Sequence, residues 1–188
     1  MGICLLLISF ACFFAIFFLR SSETGVYTNL RRSFILSLIA NAGIIFIYNE
    51  IASFFNAINA TSALVFWTME AVALLALVYY LHQSGKVRLE KLGTLKNAFR
   101  LSGLSRIHQL VTGAVALLYL LPLLFLAIYA APNNFDSHMY HLNRILIWIY
   151  NGNLDHFPTM HLQQLYLNVF AEYLVLDTVL LSGSDQFS

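Results

Sequence analysis

The chain has 188 residues, 60% of them hydrophobic and only 10% charged, with a formal net charge of +1 and a mean hydropathy of +0.74. Soluble domains carry roughly 25% charged residues, so this composition excludes a soluble globular domain, and no nucleic-acid partner is expected. It specifies an all-α polytopic membrane helix bundle.

Crossing a hydrocarbon core takes about 20 helical residues, and four apolar runs reach or approach that length: 3–19, 34–55, 63–81 and 111–131. The second does so only if Asn49 and Glu50 lie at the membrane surface. No basic segment precedes the first run, and Arg20 rather than a small-residue cleavage site follows it, so it is expected to remain as an anchor. Cys4 and Cys12 both fall inside this run and say nothing about disulfides.

Nine of the ten lysines and arginines fall in two segments, 20–33 and 82–109. Basic residues near span ends are retained in the cytoplasm. These two loops are therefore expected there, with the amino terminus, the 49–62 connection and residues 132–188 on the outer side. Within the second loop, Leu89, Leu92, Leu95, Phe99 and Leu101 are spaced for a helix lying on lipid headgroups. Glu70, a carboxylate inside the third span, is costly there and hence a functional candidate; the alternative is an interhelical hydrogen bond to Asn41. Asn59-Ala60-Thr61 matches a glycosylation acceptor, a pattern too short to carry weight.

Polarity changes abruptly after residue 131. Four of the six histidines, His138, His141, His156 and His161, gather in the outer segment, together with its single basic residue, Arg144. A first helix is expected over 136–151, with Asp136, Tyr140, His141, Arg144, Ile147, Trp148 and Asn151 on one broad face. Met139, Leu142, Ile145, Leu146 and Ile149 fall opposite, with His138. The projection describes an interfacial amphipathic helix whose polar-aromatic face meets water or the rest of the protein, ended by Asn151-Gly152-Asn153. Asp136 at its start fits either an N-cap or an acid–base group. A second helix is expected over 161–181, with His161, Gln164, Asn168 and Glu172 on a narrow stripe. His138 with His141, or His156 with His161, could converge on a metal, but no set of three has a recognised spacing and no metal site is assigned. A divalent cation, Mg or Mn, shared between Asp136 and a substrate phosphate stays open.

The series Asp136-Ser137, Tyr140-His141-Leu142, Arg144, Trp148, Asn151-Gly152, His156-Phe157-Pro158-Thr159, Gln164-Leu165-Tyr166 and Ala171-Glu172 resembles the first extracytoplasmic loop of GT-C class polytopic glycosyltransferases, most closely the bacterial dolichyl-phosphate-mannose transferase-like group. Asn143 and Asn168 depart from that pattern at positions where proline is expected. The resemblance implies an integral protein of the bacterial inner membrane. It also implies a polyprenyl-phosphate-linked sugar as donor and a lipid or glycan acceptor on the extracytoplasmic face. It makes Asp136 the base that deprotonates the acceptor, with Tyr140, His141, Arg144, His156, Gln164 and Glu172 around the substrate. Four spans and one loop cannot enclose such a donor, so the chain is expected to be the amino-terminal portion of a larger transferase. Two other readings remain open, a non-enzymatic membrane subunit or transporter fragment and a protein similar to O-antigen polymerases or ligases.

Overall fold

The computed structural model describes residues 2–22, 25–87, 92–93, 105–129 and 137–184. The headgroup helix expected in 82–109 falls largely outside the described residues, and so does Asp136. Four helices are long and apolar enough to cross a membrane: α1 (Ile3–Arg20), α2 (Val26–Phe54), α3 (Ala60–Gln83) and α4 (Arg106–Tyr129). The remaining described elements are a π-helical turn (Ser137–His141), α5 (Leu142–Asn151), α6 (Gln163–Tyr166) and α7 (Phe170–Ser182). No strand occurs among the described residues, and the chain is an all-α integral membrane protein.

Two spans begin well before the apolar runs that mark them. α2 begins at Val26, so Arg31 and Arg32 lie within the helix rather than before it. At 1.5 Å per residue its 29 residues reach about 43 Å, beyond a hydrocarbon core of about 30 Å. Its first turns therefore carry the arginines at headgroup level. α4 likewise starts at Arg106 and contains Pro122, tolerated in a span when neighbouring groups take the freed carbonyl. Its described side chains are exposed except for half-buried Gln109.

The first three helices form an up-down-up bundle. Asn29 Nδ2 of α2 donates to the Phe18 carbonyl of α1 at 3.1 Å, while Ser9 of α1 meets Asn41 of α2 nearer the other end. α2 faces α1 through Asn29, Ser33, Ser37 and Asn41, all buried and four residues apart. Most of their polar atoms bond within the helix, Ser37 Oγ to the Ser33 carbonyl at 2.6 Å and Asn41 Nδ2 to the Ser37 carbonyl at 3.0 Å. Small self-satisfied side chains of this kind let membrane helices approach closely. The expected Glu70–Asn41 contact runs through a third residue: Ser9 Oγ lies 2.9 Å from Asn41 Oδ1 and 2.8 Å from Glu70 Oε1. Asn59 caps α3, its Oδ1 accepting from the Ser62 N–H at 3.0 Å, which gives that residue a structural task.

α7 closes the end of the bundle opposite the arginines, packing on α1, α2 and α3 and on α5. The core there runs through Tyr48, Trp67, Ile145, Trp148, Tyr173 and Leu176. α5 is anchored by Gly152, whose φ of +76° and N–H bond to the Trp148 carbonyl make a left-handed helix end. The Gly152 carbonyl accepts from the Ile58 N–H at 2.9 Å, and a Cβ at Gly152 would sit 2.9 Å from the Asn56 carbonyl oxygen. Gly152→Ala is therefore expected to cost about 1–3 kcal/mol in unfolding free energy, read from detergent-solubilised melts. An unshifted melt would mean that the α2–α3 loop yields freely.

Candidate functional site

The assembly formed by residues 137–184 is built around one buried cation. Arg144 is completely buried, a position its charge can hold only with full compensation. Its Nη1 lies 2.8 Å from Glu172 Oε2 and donates to the Leu167 carbonyl at 3.1 Å; its Nη2 donates to the Gln163 carbonyl at 2.6 Å. The guanidinium also stands 5.6 Å from the centre of the Trp148 ring, within cation–π range. Nε is buried without a hydrogen-bond partner.

This arrangement corrects the helical projection of 136–151. α5 buries Leu142 and Ile145 alongside Arg144 and Trp148, while Leu146 and Tyr150 stay exposed. The face carrying Arg144 and Trp148 meets the rest of the protein, one of the two surroundings expected for it, and Leu142 and Ile145 of the expected opposite face are buried with it. The arrangement also corrects the expected helix over 161–181, which is two helices with Leu167 extended between them (ψ 146°). Arg144 bonds the Leu167 carbonyl and shares the Gln163 carbonyl with the Leu167 N–H, which donates to it at 3.3 Å. Asn168 Oδ1 then accepts from the Phe170 N–H at 3.0 Å and starts α7. The other departure from the family pattern, Asn143, donates to the Met139 carbonyl at 3.3 Å.

Glu172 joins Arg144 to His141, whose Nδ1 lies 2.6 Å from Glu172 Oε1. Burial pushes the Glu172 carboxyl above the usual carboxylate range, against the opposing pull of the His141 hydrogen bond and the Arg144 charge. The His141 side chain is 42% exposed and that of Glu172 only 3%, so the imidazole is the part of this triad that meets the outside. Tyr140, half-buried, lies against it with ring centroids 4.3 Å apart.

Gln164 is committed to the frame. It accepts from Thr159 Oγ1 at 2.9 Å and donates to the Met139 carbonyl at 2.8 Å, clamping the 159–164 loop to the π turn. His156 is exposed and lines, with Asp155, the mouth of a groove of about 40 Å³ floored by Trp148 and Gln164. Thus His141, Arg144 and Glu172 form one cluster, Gln164 braces it, and His156 stands at a neighbouring groove. Among the described residues, no group of three or more His, Cys, Asp and Glu side chains is gathered for a metal ion.

A second polar cluster escapes the sequence motifs. Asp177, fully buried in the apolar run of α7, lies with both oxygens 3.3 Å from Asn49 Nδ2, and Tyr173 Oη donates to Glu50 Oε1 at 2.7 Å. The signal was available: Tyr173 and Asp177 are four residues apart on α7, opposite the adjacent pair Asn49 and Glu50. Burial pushes Asp177 well above the usual carboxylate range. Asn49 Oδ1 is itself buried without a hydrogen-bond partner. Because the folded state holds the Asp177 proton more tightly, the stabilisation is complete below the unfolded pKa of about 3.9 and is lost as pH rises through the folded value. Asp177→Asn, neutral at every pH, should match wild type in melts near pH 4 and exceed it near pH 8. Equal pH dependence in the two proteins would show that Asp177 ionises freely.

The chain matches no family model, no curated protein and no solved structure.

Proposed function

We propose that the outer assembly is one wall of the active site of a GT-C-type glycosyltransferase. It moves a sugar from polyprenyl phosphate to a lipid or glycan acceptor at the extracytoplasmic face of the bacterial inner membrane. The observation that carries this reading is the half-exposed His141 imidazole, backed by the buried Glu172–Arg144 pair and placed five residues after Asp136. Transfer from a glycosyl phosphate needs a base for the acceptor hydroxyl and compensation of the charge that develops on the departing phosphate. Asp136 supplies the first. The acceptor oxygen bonds to the sugar's anomeric carbon as the bond to the phosphate oxygen breaks, and the electron pair leaves with polyprenyl phosphate. His141 supplies the second: with Nδ1 held by Glu172, its imidazolium offers Nε2–H to the leaving oxygen. Arg144 acts through Glu172, holding the carboxylate that aims His141, and is a positioning residue in this scheme.

The test is donor dependence. The full-length protein in proteoliposomes is expected to transfer radiolabelled hexose to glycolipid or glycan acceptors from a polyprenyl-phosphate hexose and not from a nucleotide sugar. Use of the nucleotide sugar would overturn the donor assignment, and inertness toward a panel of lipid-linked hexoses in membranes of the source would reduce the assembly to a scaffold.

A further inference from the structure

At the opposite end of the bundle, a cavity of about 310 Å³ opens between the end of α1 and the first turns of α2. Its rim carries Arg20, Ser21 and Arg32, and Ile16, Phe17 and Leu36 line it beneath. Ile16 is four residues before Arg20 and Leu36 four residues after Arg32, which places both apolar residues about 6 Å deeper along antiparallel spans. Both arginines are exposed at this end, and Asn29 pins the two helices together by its bond to the Phe18 carbonyl. Cations above and hydrocarbon-facing side chains below are complementary to an anionic amphiphile, with its phosphate at the rim and its first methylenes on the floor. A soluble anion would gain nothing from Ile16, Phe17 and Leu36. Arginine is the side chain whose planar fork suits phosphate oxygens, and basic pockets between spans are sites for anionic lipid headgroups.

We propose that the Arg20–Arg32 cavity is a binding site for the headgroup phosphate of an anionic phospholipid. It is separate from the outer assembly and does not depend on the transferase reading. A lipid held there would join α1 to α2 just where the basic residues set the depth of both helices.

The test uses the chain in nanodiscs containing phosphatidylglycerol and phosphatidylcholine in equal amounts, with retained lipid identified by native mass spectrometry. Wild type is expected to keep phosphatidylglycerol in preference. Arg20→Gln and Arg32→Gln should each lower the preference about fivefold, whereas Arg31→Gln, which removes the same charge outside the cavity lining, should leave it intact. Leu36→Trp keeps both charges but fills the cavity, and should abolish retention even if an arginine variant inserts poorly. Equal retention of the two lipids by wild type, or an equal loss in Arg31→Gln, would overturn the proposal. Displacement of the lipid by millimolar inorganic phosphate would also overturn it, by assigning the site to a soluble anion.

Discussion

Arg144→Ala is expected to lower the unfolding free energy by about 3–5 kcal/mol, the usual cost of removing one partner of a buried ion pair. The loss has three sources at one point. Glu172 keeps a buried carboxyl supported only by its His141 contact, the Leu167 and Gln163 carbonyls lose their bonds to the guanidinium, and Trp148 loses the cation beside its ring. Glu172→Gln should be milder, about 1–3 kcal/mol, because the amide still hydrogen-bonds while the two carbonyls continue to hold Arg144. Replacing both partners, Arg144→Met with Glu172→Leu, should recover part of the loss, since an apolar pair of similar volume is often neutral relative to a buried ion pair. The cycle of four proteins isolates the coupling, read from thermal melts in detergent with Trp148 and Trp67 fluorescence as the probe. An unshifted midpoint for Arg144→Ala would show that the guanidinium reaches water.

The amount of this structure that could be read from the chain varies with the range of the interaction. The four spans are legible because each is a local excess of apolar residues, and α2 and α4 begin before their runs only where helices continue into the headgroup layer. Arg144, His141 and Glu172 were recognisable as unusual residues in a greasy chain. The resemblance gathered them around one substrate, but the burial of Arg144 was not legible, because helical projection sorts residues by their own polarity, whereas that burial is compensated by a carboxylate 28 positions later and by two carbonyls. The break at Leu167 carries no proline or glycine; Asn168 is the local cue, and the carbonyl left at the break is bonded by Arg144 from another helix. Asp177 stands out in the sequence as a carboxylate in an apolar run, but its partner Asn49 lies 128 residues away and only the fold pairs them.

Asp136→Asn is expected to lower the rate of sugar transfer by about 10²–10⁴-fold, the range that a positioned base contributes. This substitution separates the two roles open to Asp136. Asparagine caps a helix about as well as aspartate, so a residue that only starts the π turn and α5 would tolerate the change, with both melt and activity preserved. A base would not, because the amide cannot take a proton from the acceptor hydroxyl. The donor end of the reaction provides the contrast. His141→Gln retains a polar side chain beside Glu172 but removes the imidazolium, so its rate should depend more steeply than wild type on the basicity of the departing phosphate. Asp136→Asn should leave that dependence unchanged while erasing the acid limb of the pH–rate profile. Loss of transfer with an intact melt in Asp136→Asn, together with a leaving-group effect confined to His141→Gln, would divide the chemistry between the two residues. Full activity in Asp136→Asn would leave residue 136 as a helix cap and move the search for the base to Asp155 and His156 at the neighbouring groove.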